Sequence, residues 1–198
     1  GCDGEEWLAD LFAFPNWSLV CHYFNTGIAL TLLATPVTYY LVETRNASAA
    51  VTNTYLAMTY MPWCLKIFFG LASDLRPWLG MHRRSYFGLG WVVFFLSNVW
   101  LAALERPSVA ATLLLSFVMV MGCLLSDTVA DAMILECTTA AETKRETGKM
   151  RTHAYFVRQV GSTLGSVLGA LVYNSRSDGG DWSWGLSISG CFWLHALI

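Results

Sequence analysis

Three ionisable residues stand in otherwise apolar sequence: Lys66 in CLKIFFG, and Asp127 and Asp131 in LLSDTVADAM. A charge at the centre of a membrane-spanning helix costs about 2.5–3.5 kcal/mol or more, so each must be paired, hydrated or used. Asp127 and Asp131 are four residues apart and nearly eclipsed on one helix face. Thr112, Ser116 and Cys123 continue that stripe, with Val120 filling the gap. On a continuous helix Asp127 lies about ten residues from the end, ~15 Å deep. That is near the middle of a ~30 Å hydrocarbon layer. A carboxylate pair there can bind a cation or a proton, or meet Lys66. The other open reading ends the span near Ser126 and leaves both carboxylates in water.

Lys66 precedes Asp74 by eight residues, ~12 Å along a helix. A lysine covers part of that distance by snorkelling. Alternatively it belongs to a buried or wet face, because Thr52, Tyr55, Thr59, Gly70 and Ser73 share its side at helical spacing. Glu136 is nine residues past Asp127, half a turn round, and should point elsewhere. Arg158 lies one turn inside the following span, on its glycine side, placed to pair with Glu136 or Asp131. Asn25, beside the polar face of the first span, is a further candidate for substrate contact.

These residues need helices to hold them, and the composition supplies little else. The 198 residues are 55% hydrophobic and 13% charged, with a mean hydropathy of +0.47. Soluble domains carry about 25% charged residues. The pattern is that of an all-α membrane protein. Spans are expected at about 19–42, 49–72, 86–104, 109–135, 154–173 and 182–198, after a segment 1–18 in which WLADLFAF lies along the surface. In the first span Gly27, Thr31, Thr35 and Thr38 share a face that either packs on a helix or lines a polar cavity. Pro36 should kink it, with neighbouring hydroxyls satisfying the freed carbonyl. Gly161, Gly165 and Gly169 in the fifth span form two overlapping GxxxG steps, which let helix backbones approach closely.

Seven of the twelve Lys and Arg fall in the loops after spans two and four: Arg76, Arg83, Arg84, Lys144, Arg145, Lys149 and Arg151. The positive-inside rule sets those loops, and with them the N-terminus, on the inner side. No basic patch interleaved with aromatics supports nucleic-acid binding. The scattered Cys and His show no metal-ligand spacing, and no cofactor is implied. Neither a His/Glu cluster nor a nucleophile–base pair is present, so an enzyme is not expected.

The inner loop carries a resemblance. Gly70-x-x-x-Asp74, then Gly80 and Arg83-Arg84, resembles the cytoplasmic loop motif of the major facilitator superfamily, in a stretched form. The longer pattern Pro62-Trp63, Lys66, Gly70, Ser73-Asp74, Pro77, Gly80, Arg83-Arg84-Ser85-Tyr86 is similar to the folate–biopterin transporter family within it. So are Asp127, Asp131-Ala132 and Glu136 in span four, and Tyr23-Phe24 and Gly27 in span one. Ile67 departs, standing where the family usually has proline, which leaves room for another organic solute.

The resemblance implies the N-terminal six-helix half of a major-facilitator-type transporter, its C-terminal six-helix half missing, since the chain opens without methionine and stops inside an apolar run. It implies alternating access and a small-molecule substrate, folate or pterin, generally with proton or cation coupling. Lys66 would attract an anionic substrate, and Asp127 and Asp131 would carry the coupling charge. Asp74, Arg83 and Arg84, with Gly70, Glu136 and Arg158, would form the inner charge network. The membrane is the plasma membrane or an organellar one such as a plastid envelope. A non-transporting multi-pass protein is the remaining class. It would use the glycine helix but has no need of Lys66, Asp127 and Asp131.

Overall fold

The computed structural model describes residues 11–12, 16–75, 83–141, 148–176 and 180–198, with side chains at 136–141 left aside. The expectations for residues 1–10 and 13–15, Arg76, Pro77, Gly80, Lys144, Arg145 and the side chain of Glu136 lie outside the described residues. The rest is an all-α membrane protein. Among the described residues, extended pairing amounts to one isolated bridge, Ser175 to Trp182.

Among the described residues, eight α-helices follow in order: α1 Trp17–Thr31, α2 Ala34–Tyr39, α3 Ala49–Tyr60, α4 Lys66–Leu75, α5 Arg83–Ala103, α6 Val109–Ala141, α7 Lys149–Val172 and α8 Ile188–Ala196. A π-helical turn, Tyr40–Thr44, closes α2, and a 3₁₀ segment, Met61–Leu65, joins α3 to α4. Among the described residues, Ala49–Leu75, Arg83–Ala103 and Val109–Leu135 are long and apolar enough to cross a membrane. The outward faces carry large apolar side chains, including Phe68, Leu71, Leu96, Leu114 and Leu164, as lipid contact requires.

Two prolines set the breaks. Pro36 has no N–H for the Leu32 carbonyl and its ring crowds that turn, so the helix is interrupted by a turn at Leu32 and Leu33, up to four residues upstream. The expected rescue by hydroxyls differs in detail. Thr38 bonds back to the Ala34 carbonyl and Thr31 to the carbonyls of Gly27 and Ser162. The Leu32 carbonyl instead lies against Gly169. Pro62 acts likewise in the second span, where tighter 3₁₀ winding places Trp63 and then Lys66.

The helices pair as α1 with α7 and α5 with α6, while α3 and α4 lie against α6 and α8 against α5. Glycine sets both main pairs. A Cβ at Gly27 would strike the Arg158 carbonyl, and one at Gly161 would strike that of Phe24. On the face shared by Gly27 and Thr31, Gly27 therefore packs against α7, while Thr31 also borders a cavity. A second contact, unmarked by any GxxxG repeat, joins α5 to α6: a Cβ at Gly122 would sit 2.6 Å from the Gly90 carbonyl oxygen. Deeper in the fold, His195 of α8 is fully buried, with ring nitrogens 2.7 Å from Asn98 Oδ1 and 2.9 Å from the Ala29 carbonyl oxygen.

Candidate functional site

Four helices converge on one ionic cluster. Lys66, the first residue of α4, sets Nζ 2.7 Å from Asp127 Oδ2 and 3.1 Å from Asp131 Oδ2. Arg158 of α7 brings Nη1 to 3.3 Å from Asp127 Oδ1 and 3.2 Å from Oδ2. From α1, the Tyr23 hydroxyl donates to Asp131 Oδ1 at 2.7 Å. Two aromatic rings flank the cations. Trp63 lies 5.2 Å from Lys66 Nζ and 5.8 Å from Arg158 Cζ, and Tyr155 lies 4.6 Å from Arg158 Cζ. Those distances are within cation–π range, worth about 0.5–2 kcal/mol each.

The two carboxylates differ. Asp127 is 0% exposed and touches both cations, whereas the Asp131 side chain is 19% exposed and touches only Lys66 of the two. A buried ion pair gains little net stability over an apolar replacement, yet removing one partner leaves an uncompensated charge and costs much more. The cluster therefore constrains α1, α4, α6 and α7 to move together or to exchange partners. Its formal sum is zero, with two positive and two negative charges.

The sequence-predicted residues divide accordingly. Lys66, Asp127, Asp131 and Arg158 come together. The open question over span four is answered locally, since α6 continues past Ser126 as one helix and buries Asp127. Of the partners expected for Arg158, Glu136 has its side chain outside the described residues, and Arg158 meets Asp127 in place of Asp131. Because α7 begins at Lys149, Arg158 lies nine residues in, about 13 Å along the axis, and reaches Asp127. Asn25 stays apart. Two residues beyond Tyr23, it is turned about 200° around α1 and donates to the Ile198 carbonyl at 3.0 Å. Ile67 is 80% exposed and points outward, so the departure from proline falls on the outer face and not on the cluster.

At the end of α4, Arg83 Nη2 lies 3.1 Å from Asp74 Oδ1, and Arg83 Nη1 donates to the Ala132 carbonyl at 3.0 Å. This ties α4, α5 and α6 at one edge. Arg84 is exposed. Gly70 has room, its nearest neighbour to a built Cβ being Thr128 Cγ2 at 3.8 Å. Gly161, Gly165 and Gly169 pack on α1. Tyr23 and Trp63 belong to the cluster although sequence spacing did not single them out as site residues.

A family model described as the BT1 family matches residues 26–179. The chain is 29% identical over 157 residues to the probable folate-biopterin transporter 4 of Arabidopsis thaliana, covering 77% of this chain and 31% of that protein. It is 27% identical over 160 residues to the folate-biopterin transporter of Synechocystis, covering 76% and 30%. A third relative, folate transporter 1 of Plasmodium falciparum, is 25% identical over 100 residues, covering 50% and 20%. The chain thus spans about a third or less of the length of these relatives. No solved structure matches.

Proposed function

This chain belongs to the BT1 family, and we propose from that premise that it is part of a secondary transporter for folate- or pterin-like compounds, working by alternating access with proton coupling. The names of the relatives support the substrate class. The observation that carries the coupling is the charge balance of the cluster. With both carboxylates ionised, Lys66 and Arg158 are neutralised, so Lys66 alone has no free charge with which to attract an anion.

One proton changes the sum to +1. Asp131 is the carboxylate suited to take it, being partly exposed and held by a single cation. Its protonation loosens Lys66 and creates the positive site that an anionic substrate requires. Proton and one substrate charge then move together. The N-terminus and the Asp74–Arg83 edge belong to the inner side in this reading, following the positive-inside rule.

Uptake of labelled folate by the full-length protein in a transport-deficient host tests this. Wild-type uptake should be greater at acidic than at neutral external pH, as proton coupling requires. Asp131→Asn should flatten that profile. A pH dependence unchanged in Asp131→Asn would remove Asp131 from coupling.

The Asp74–Arg83 pair serves as the inner gate. Asp74 is half exposed in that pair, so its contribution to stability is under about 1 kcal/mol. Asp74→Asn should therefore leave thermal unfolding nearly unmoved while reducing uptake about tenfold. Equal losses in both measurements would make the pair a structural tie.

A further inference from the structure

Beside the cluster, between α1, α3, α6 and α7, lies a cavity of about 330 Å³. Trp63 and Arg158 form the wall shared with the cluster, Tyr60 stands at the rim, and Tyr55, Met119 and Gln159 complete the parts that matter here. We propose that this cavity holds one end of the substrate, a flat heteroaromatic ring with hydrogen-bonding edges, while a carboxylate-bearing tail stays outside. The inference rests on the transport reading above and adds the orientation of the bound molecule.

Three features select a ring. The volume is at the low end of the roughly 300–1,000 Å³ of small-molecule sites, enough for part of a folate-sized compound. The only cation on the wall is Arg158, and Asp127 already occupies Nη1 through both oxygens. A tail with two carboxylates would enter without a free counter-charge, whereas the Trp63 ring on the same wall offers a face for stacking. Finally, the polar groups suit a ring edge. Tyr55 is 4% exposed, and its hydroxyl has no hydrogen-bond partner among the described residues. The side-chain amide of Gln159 is likewise unpaired among them. An acyl chain in the same space would leave the buried Tyr55 hydroxyl unsatisfied, at about 1–3 kcal/mol.

The test is displacement of labelled folate from the purified full-length protein in lipid nanodiscs, with pterin as the ring alone and p-aminobenzoylglutamate as the tail alone. Pterin should displace folate at least about a hundredfold better than the tail compound. Trp63→Leu should weaken pterin displacement on the order of five- to a hundredfold, the range of a base–aromatic stack, and Trp63→Phe should restore most of it. Gln159→Leu lies outside the cluster and should weaken pterin by about two- to tenfold, the worth of one hydrogen bond. The tail compound should be indifferent to all three. Better displacement by the tail, or pterin displacement unmoved by Trp63→Leu and Gln159→Leu, overturns the orientation. If wild type binds no folate, the transport reading fails by itself. Direct binding of labelled pterin then decides the cavity: dependence on Trp63 upholds it, and absence of binding overturns it.

Discussion

Asp127→Ala is expected to abolish uptake and to destabilise the folded protein by about 3–5 kcal/mol, the cost of leaving buried charges without their partner. Lys66 and Arg158 both point at this carboxylate. Without it two cations face each other across an enclosed site, and only Asp131 remains for one of them. Asp127→Asn should be milder, because the amide keeps the shape and can still accept from Lys66 and Arg158. Thermal unfolding of the purified full-length protein, read beside uptake, measures both effects. The charge balance makes a sharper forecast for pairs. Lys66→Met combined with Asp131→Asn removes one charge of each sign, so its loss of stability should fall short of the sum of the single variants by about 0.5–3 kcal/mol. Strict additivity would mean that the four side chains do not act as one network, and a wild-type unfolding temperature in Asp127→Ala would mean that the cluster does not form.

The ions of this site were legible because a charge inside an apolar run has few innocent explanations, and helical period then assigns it a face. Lys66, Asp127 and Asp131 were found on that ground alone. Depth was harder to read. The charge pattern places the stretch before the fifth span in a loop, yet helix α7 already runs through Lys149 and Arg151. That extra length shifts Arg158 inward by more than one turn and changes its partner. Tyr23 and Trp63 escaped notice as site residues for the opposite reason. In a chain that is 14% aromatic, spacing gives one ring in a membrane helix no weight over another; the family pattern includes both, and the contacts to Asp131 and Lys66 give them their place at the site. Pro36 and Pro62 both mark real breaks, but only Pro36 was read as one, and its consequence appears a turn upstream, at the carbonyl the ring cannot satisfy. Asn25 lies beside the polar face of the first span, and its angle on α1 relative to Tyr23 turns it toward the Ile198 carbonyl. Gly90 and Gly122 had no GxxxG partner to advertise them, since each closes a contact made by a single residue on either helix.

The glycine contact between α1 and α7 should prove as consequential as the ions it positions. Gly161→Ala is expected to destabilise by about 1–3 kcal/mol, the usual cost of overpacking, because the added methyl meets the Phe24 backbone and not a side chain that can swing aside. Gly165→Val should cost more, since even a first carbon there would stand 2.9 Å from the Ile28 carbonyl oxygen. Gly88→Ala is the control: nothing lies within 4 Å of its built Cβ, and alanine is the better helix former by about 0.8–1 kcal/mol. The functional consequence follows from what the two helices carry. Tyr23 on α1 holds Asp131, and Arg158 on α7 holds Asp127. Widening the gap between α1 and α7 pulls Tyr23 away from Asp131 without touching any ion. Gly161→Ala protein that still folds should therefore show weakened uptake with an altered pH profile, where Gly88→Ala shows neither. Unfolding and pH-dependent uptake measured on the same preparations decide it. If Gly161→Ala is destabilised but keeps the wild-type pH profile, the glycine seam serves stability alone, and Tyr23 does not tune the carboxylate it touches.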